Sequence, residues 1–313
     1  VTVRVGTRGS ALALAQAGRI RDAIVALGES CELVVVTTAG DVSKASLAQI
    51  GGTGVFAGAL RSALAAGDVD LVVHSLKDLP VAPEPGLVVA GVPQRADARD
   101  VLCARDGLDL AGLPAGAVVG TGSPRRYAQL MDRRPDLRVV DLRGNVDTRL
   151  SRVRDGALDA VVLSWAGLAR LARLDAVTEV LGLDGWPTAA GQGALALEVR
   201  EADADPSTVL GALVDALTDP VSRDAAVAER RVLGLLEAGC AAPIGVASSV
   251  EHGRASLWAS VHRPGGGARI DRLRSMTFAA ADRRATLHAA AEALATDLLA
   301  AGAADLAPLG ASA

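Results

Sequence analysis

The chain has 313 residues, 50% hydrophobic and 22% charged, with a formal net charge of −4. That length exceeds one ordinary core and sets an expectation of two or three domains. The acidic balance and an aromatic content of 2% argue against a general polyanion binder and a base-stacking platform, so any anion site must come from local clustering. No apolar run reaches bilayer length, and the opening VTVRVGTRGS lacks the basic-then-apolar order of a secretory signal. The three cysteines, Cys31, Cys103 and Cys240, form no CxxC pair, and the four histidines show no ligand spacing. Neither a disulfide framework nor a metal site is therefore indicated. A reduced, cytoplasmic, metal-free protein is expected.

In chain order, TVRVG reads as a strand and residues 10–27 as an amphipathic helix with Ser10 as its cap. CELVVVTT is a strand, VFAGALRSALAAG a helix and DVDLVVHS a buried strand. This alternation is the grammar of an α/β domain with a largely parallel sheet. The polar VPQRADARD (92–100) reads as a boundary. A second α/β block follows, with GAVVGTG, LRVVDLRG and LDAVVLSWAG as strands and SPRRYAQLMDRR and NVDTRLSRVRDG as helices. TAAGQGALALEV (188–199) carries two glycines and then a strand placed to return to the first domain. A long amphipathic helix runs from Asp219 to about Ala238, a loop holding Cys240 follows, and strand-like and helical pieces complete the chain. No internal repeat or low-complexity linker is visible.

The chemistry gathers in the second block. Between Thr121 and Arg154 stand nine arginines against four aspartates and no lysine, a local charge of +5 in a protein of net −4. In GTGSPRR, Ser123 is placed to cap a helix, Pro124 takes its first position, and Arg125 and Arg126 fall in the first turn. LRGNVDTR repeats the design: Arg143 ends a strand, Asn145 can cap, and Arg149 lies one turn in. Cations at a helix N-terminus oppose the dipole, so local stability does not explain them, whereas an anionic ligand does. Arginine in place of lysine points to planar carboxylates or phosphates. Arg133, Arg134, Arg152 and Arg154 read as a solvated face.

The first block adds Arg8 at a strand end and Lys77 and Asp78 just past a buried strand. Asp78 also suits a plain turn residue. Ligands of open α/β sheets sit outside the carboxyl ends of strands, where these residues fall. GGTGVFAG approximates a dinucleotide fingerprint but follows a poor strand, and there is no P-loop. Cys240 sits in loop chemistry between Gly239 and Pro243, unlike Cys31 and Cys103, whose strand patterns read as core.

Taken in order, TRGSALAL (7–14), GD (40–41), IGGTGVF (50–56), VHSLKDLP (73–80), GTGSPRR (120–126), LRGNVDTRL (142–150), AGLARL (166–171), GQGAL (191–195) and GCAAPIG (239–245) resemble the hydroxymethylbilane synthase (porphobilinogen deaminase) family. Each motif alone is modest, and their combined order over nearly the whole chain is specific. The resemblance implies an α/β fold of three domains: 1–93 with 194–215, 99–188, and 219–313. The first two would be periplasmic-binding-protein-like with a cleft between them, and the third a small open-faced α/β unit.

The resemblance also implies the activity, a transferase of tetrapyrrole biosynthesis. Four porphobilinogen units condense head to tail with loss of ammonia on a covalent dipyrromethane primer, and hydroxymethylbilane is released by hydrolysis. Cys240 matches the cysteine that holds dipyrromethane by a thioether, and Asp78 the catalytic aspartate. Arg8, Ser10, Lys77, Thr121, Ser123, Arg125, Arg126, Arg143, Arg149 and Arg170 match residues that bind the acetates and propionates of cofactor and substrate, and Gln192 matches a glutamine beside the cofactor. A monomer without nucleic-acid or membrane partners is implied. The chain departs from the pattern at Ala39, Thr53 and Gly58, where many members carry Arg, Lys and Lys. An anion-binding module of the same two-domain plan is the alternative, though it leaves Cys240 and Asp78 without a purpose; a nucleotide-dependent enzyme using GGTGVFAG is weaker.

Overall fold

The structure is a computed structural model, and it describes residues 2–37, 54–238 and 242–309. The GD pair, the start of IGGTGVF, Ala39, Thr53 and Cys240 lie outside the described residues. The elements follow as β1 (Val3–Thr7), α1 (Ala11–Ala26), β2 (Cys31–Val35), α2 (Gly54–Ala66), β3 (Leu71–Ser75), β4 (Leu87–Gly91), β5 (Asp100–Ala104), β6 (Val118–Gly120), α3 (Pro124–Arg133), β7 (Arg138–Val140), α4 (Val146–Arg154), β8 (Ala160–Ser164) and α5 (Trp165–Arg170). Then come β9 (Glu179–Leu181), β10 (Leu195–Arg200), α6 (Val209–Leu217), α7 (Pro220–Leu235), β11 (Ile244–Glu251), β12 (Arg254–His262), β13 (Arg269–Thr277), α8 (Arg283–Ala300) and α9 (Ala303–Leu306). They form two compact units, Val1–Ala96 with Gly193–Arg223, and Asp97–Gln192 with Asp224–Ala313.

The first unit is built on a five-stranded sheet in the order β2-β1-β3-β10-β4. Strand β1 pairs in parallel with β2 and β3, and β10 runs antiparallel to β3 and β4. Side chains alternate across the pleat. Leu71 and Val73 therefore pack with Ala17, Ile20 and Ile24 of α1 on one face, while Val72 joins Leu60, Ala63 and Leu64 of α2 on the other. Gln16, Ile20 and Ile24 recur every four residues, so α1 presents one buried stripe.

The second unit repeats the plan in the order β7-β6-β8-β5-β9, with β6 parallel to β7 and β8 and β5 antiparallel to β8 and β9. A repeat does exist, then, in topology and not in sequence. Each sheet places its first parallel strand between the second and third, so the two crossovers leave on opposite sides. The gap between first and third strands is the switch point at which such sheets bind ligands.

The second unit also carries a three-stranded antiparallel sheet, β11-β12-β13. Leu257, Ala259 and Val261 on one face pack against Ala228 and Val232 of α7 and Leu287, Ala291 and Leu294 of α8. The α/β fold class is as expected.

Some boundaries differ from the sequence reading. LDAVVLSWAG is strand only to Ser164, whose hydroxyl accepts from Gly167 N at 3.3 Å and starts α5. Helix α6, capped by Thr208, was not anticipated. Cys103 is buried, but Cys31 is half-buried, because β2 is an edge strand.

Candidate functional site

In the first unit, β1 ends at Thr7 and delivers Arg8, while β3 ends at Ser75 and delivers Lys77 and Asp78 on a 3-10 turn, Leu76–Asp78. The two strands are parallel neighbours in the register Val5↔Leu71 and Gly6↔Val72, so all three residues gather at one sheet edge. Ser10 caps α1 there, accepting from Ala13 N at 3.3 Å. The edge is braced. Gln16 Nε2 of α1 donates to Ser75 Oγ at 2.9 Å, and Leu76 N donates to Ala194 O at 3.1 Å. Arg8 and Lys77 are half-buried and Asp78 is exposed, so its carboxylate is accessible to a ligand.

In the second unit, β6 ends at Gly120 and Thr121 follows, buried, its Oγ1 accepting from Ser123 N at 3.2 Å. Ser123 Oγ accepts from Arg126 N at 3.4 Å, with Pro124 in the first turn of α3. Asn145 caps α4 by accepting from Thr148 N at 2.8 Å. Both caps are the ones the sequence indicates.

The arginines differ in how they are held. Arg125 and Arg126 are 5% and 6% exposed, so they belong to the interior. They share the fully buried carboxylate of Asp100, Arg126 Nη2 reaching Oδ1 at 2.6 Å and Arg125 Nη1 reaching Oδ2 at 2.9 Å. Arg126 Nη1 also donates to Val162 O at 3.0 Å, and its Nε is buried with no hydrogen-bond partner among the described residues. Arg149 is half-buried; its side chain donates from Nε to Gly144 O at 2.8 Å. Arg143 is exposed and pairs with Asp141 at 3.3 Å. Arg170 ends α5, half-buried, and Gln192 is buried, donating to Ala98 O at 2.7 Å and to Asp100 Oδ1 at 2.8 Å.

Electrostatics show a surplus of positive charge. Burial lowers the Arg149 pKa, and the cations of Arg126 and Arg143 lower it further, against a weaker pull from Asp141. Burial works against Asp100 too, but Arg125, Arg126 and Gln192 outweigh it and hold its carboxyl far below the usual range. Four guanidiniums thus stand near two carboxylates. An ion set left unbalanced in a partly desolvated site is poised for an anion.

Sequence reading missed Asp100, which sits in the stretch taken as a boundary, and Trp186, whose Nε1 donates to Asp100 Oδ2 at 2.9 Å. The available signal was an acid immediately before the apolar VLC. It missed Glu229 as well, fully buried in α7, which accepts from Gly191 N at 2.7 Å and Ser248 Oγ at 2.6 Å. Arg134, read as solvated, is tied to Leu110 O at 2.6 Å and Leu113 O at 2.8 Å, and so braces a loop. At Gly58 a Cβ would meet nothing within 4 Å, so the departure there has no packing cause among the described residues. Among those residues no group of three or more His, Cys, Asp or Glu could hold a metal ion, and no helix is long and apolar enough to cross a membrane.

The family model described as "Porphobilinogen deaminase, dipyromethane cofactor binding domain" matches residues 3–208. A porphobilinogen deaminase of Leifsonia xyli subsp. xyli is 56% identical over 311 residues, covering 98% of this chain and 94% of that protein. One from Thermobifida fusca is 55% identical over 261 residues, covering 82% and 80%. Among solved structures, an ABC transporter periplasmic substrate-binding protein from Coxiella burnetii matches with a TM-score of 0.44 at 18% identity, covering 73% of this chain and 96% of that one. The chain belongs to the porphobilinogen deaminase family.

Proposed function

We propose that the two strand-end clusters divide the work of one reaction, with Asp78 serving the chemistry and the arginines holding the carboxylates. The activity follows from the family: the chain is a transferase that polymerises porphobilinogen, and dipyrromethane is its cofactor. The observation that carries the division of roles is the charge surplus of Arg125, Arg126, Arg143 and Arg149 beside one sheet edge.

The residues present fit a group bearing acetates and propionates. The buried Arg126 Nε lacks a partner among the described residues, and Arg149 is held in a field of like charge. Both conditions are relieved by carboxylate oxygens. Arg126, Arg143, Arg149 and Arg170, with Thr121 and Ser123, would hold dipyrromethane and the growing chain; on the first unit, Arg8, Ser10 and Lys77 would bind carboxylates. Dipyrromethane, when bound through Cys240, supplies a nucleophilic pyrrole α-carbon.

Each porphobilinogen loses ammonia to give an azafulvene cation, and a ring proton must leave after carbon–carbon bond formation. A carboxylate near the pyrrole nitrogen stabilises that cation and moves protons. Asp78 suits this role by being exposed at the switch point of its sheet. Gln192, buried and tied to Ala98 and Asp100, acts as a support. We extend the proposal to a cytoplasmic monomer, with residues 219–313 forming a third domain that carries Cys240.

Intact mass of the protein beside its Cys240→Ala variant tests the attachment. An excess of two porphobilinogen units less two ammonia, lost in the variant, is expected. A bare chain mass that stays unchanged after incubation with porphobilinogen refutes it. For Asp78, single-turnover ammonia release separates chemistry from binding, and unchanged release in Asp78→Asn refutes the catalytic role.

A further inference from the structure

Asp100 opens β5 with no exposed surface, and four donors converge on it. Oδ1 receives Arg126 Nη2 at 2.6 Å and Gln192 Nε2 at 2.8 Å; Oδ2 receives Trp186 Nε1 at 2.9 Å and Arg125 Nη1 at 2.9 Å. We infer that Asp100 is a positioning residue for the reaction: it divides one carboxylate between Arg125 and Arg126, fixing both guanidiniums while leaving the pair one net positive charge for a substrate carboxylate. This rests on the reading of the arginines given above.

The division is the informative feature. A carboxylate facing one arginine typically takes two parallel N–H donors and neutralises it. Here each guanidinium gives Asp100 a single nitrogen. What remains differs between them. Arg125 makes its contacts through one nitrogen, Nη1, which also reaches Gln129 Oε1 at 2.7 Å and Pro187 O at 3.3 Å. Arg126 gives Nη1 to Val162 O and keeps Nε buried without a hydrogen-bond partner among the described residues. Leaving such a donor unmet is costly, so structures rarely retain one without a reason. The unmet Nε marks Arg126 as the member reserved for the ligand.

The carboxylate is itself overdetermined. The β5 backbone carries it, the Trp186 indole fixes one oxygen, and Gln192 fixes the other while also holding Ala98 O at 2.7 Å. The segments that enter and leave the second unit, Asp97–Asp100 and the stretch ending at Gln192, are joined at the same oxygen that holds Arg126. A shift of that oxygen therefore moves Arg126. Loss of geometry at a binding arginine weakens substrate capture in proportion to misplacement, with the chemical groups untouched.

The test is steady-state kinetics on Asp100→Glu, Trp186→Phe and Arg126→Lys, with melting temperatures recorded in parallel. Asp100→Glu keeps the charge and moves it by one methylene; Trp186→Phe removes one donor and keeps most of the ring. Asp100→Glu is expected to raise KM for porphobilinogen about tenfold and Trp186→Phe about threefold, each with kcat held within about threefold. Thermal protection of the Cys240→Ala protein by porphobilinogen is expected to fall in the same order. A purely structural Asp100 would lower melting temperature and active fraction at constant KM. If Asp100→Glu does not fold, Trp186→Phe decides alone. An elevated KM in Arg126→Lys with wild-type KM in the other two overturns this inference only; wild-type KM in all three overturns the arginine reading as well.

Discussion

Gly245 offers a quantitative link between packing and cofactor attachment. It lies on β11, five residues after Cys240. A Cβ there would collide with Pro187 O and stand 2.9 Å from its carbonyl carbon and 3.1 Å from its Cβ. Ordinary contact begins at 3.4 Å, so β11 must retreat from residue 187 by about 1 Å. The adjacent bond from Val246 N to Thr188 O, 2.7 Å long, then stretches beyond hydrogen-bond range. Strain of about 1–3 kcal/mol adds to about 1–2 kcal/mol for the lost buried bond. The sum of about 2–5 kcal/mol corresponds to a fall in Tm of about 5–15 °C for a unit of this size. Calorimetry of Gly245→Ala measures it, and intact mass of the same preparation reports cofactor loading, expected to be incomplete. Because the Gly245 φ is not positive, backbone conformation cannot account for the loss. A variant melting within about 1 °C of wild type, fully loaded, would show that β11 accommodates a methyl at no cost and refute the reasoning.

Asp78→Asn should reduce turnover by about 10²–10⁴-fold with little change in Tm, since the side chain is exposed and on a turn; rapid-quench ammonia release checks the rate. Arg149→Met should melt no lower than wild type, because burial and the cations of Arg126 and Arg143 already disfavour its charge, yet fail in cofactor assembly or early chain growth, as read by intact mass. Glu198, 1% exposed, sets an acid limit for the first unit. Burial alone would raise its carboxyl pKa, but the hydrogen bonds from His74 Nε2 at 2.9 Å and Arg61 Nη2 at 2.8 Å outweigh burial and lower it. Its contribution is therefore complete above the unfolded value of 4.5 and lost as pH falls through the lower folded value. Glu198→Gln should flatten that acid limb in melts across pH 3–6.

The parts of the site legible in the sequence are those set by local rules. Ser10, Ser123 and Asn145 cap helices as short polar side chains do, and Pro124 opens α3 because the first turn needs no N–H from it. Strand ends were legible too, which placed Arg8 and Lys77; Arg143, read as ending a strand, lies three residues past β7, which stops at Val140. What escaped was non-local. Asp100 looks like one more acid in a polar run, and its role depends on α3, Trp186 and Gln192, up to 92 residues away. Arg125 and Arg126 look alike as neighbours in a helix turn, yet only the fold shows that Arg125 reaches Gln129 and Pro187 while Arg126 reaches Val162. The strand read through Trp165 erred because Ser164 serves two purposes, last strand residue and cap. The repeated sheet plan escaped because topology is carried by crossover direction and burial, which dissimilar sequences satisfy equally.

That plan also dictates an order of assembly during synthesis. The second unit's five-stranded sheet is drawn from one continuous stretch, β5 to β9, residues 100–181. The first unit's sheet is not: β10, which lies between β3 and β4, is made about a hundred residues after β4. As the chain leaves the ribosome, β3 and β4 must wait with open edges until residue 200 has emerged, while the later-encoded sheet can already close. Unpaired edges held open this way invite wrong pairing. The vulnerable nascent species is therefore the N-terminal sheet before β10 arrives, and slowing translation between codons 92 and 195 should lower soluble yield without altering the finished enzyme.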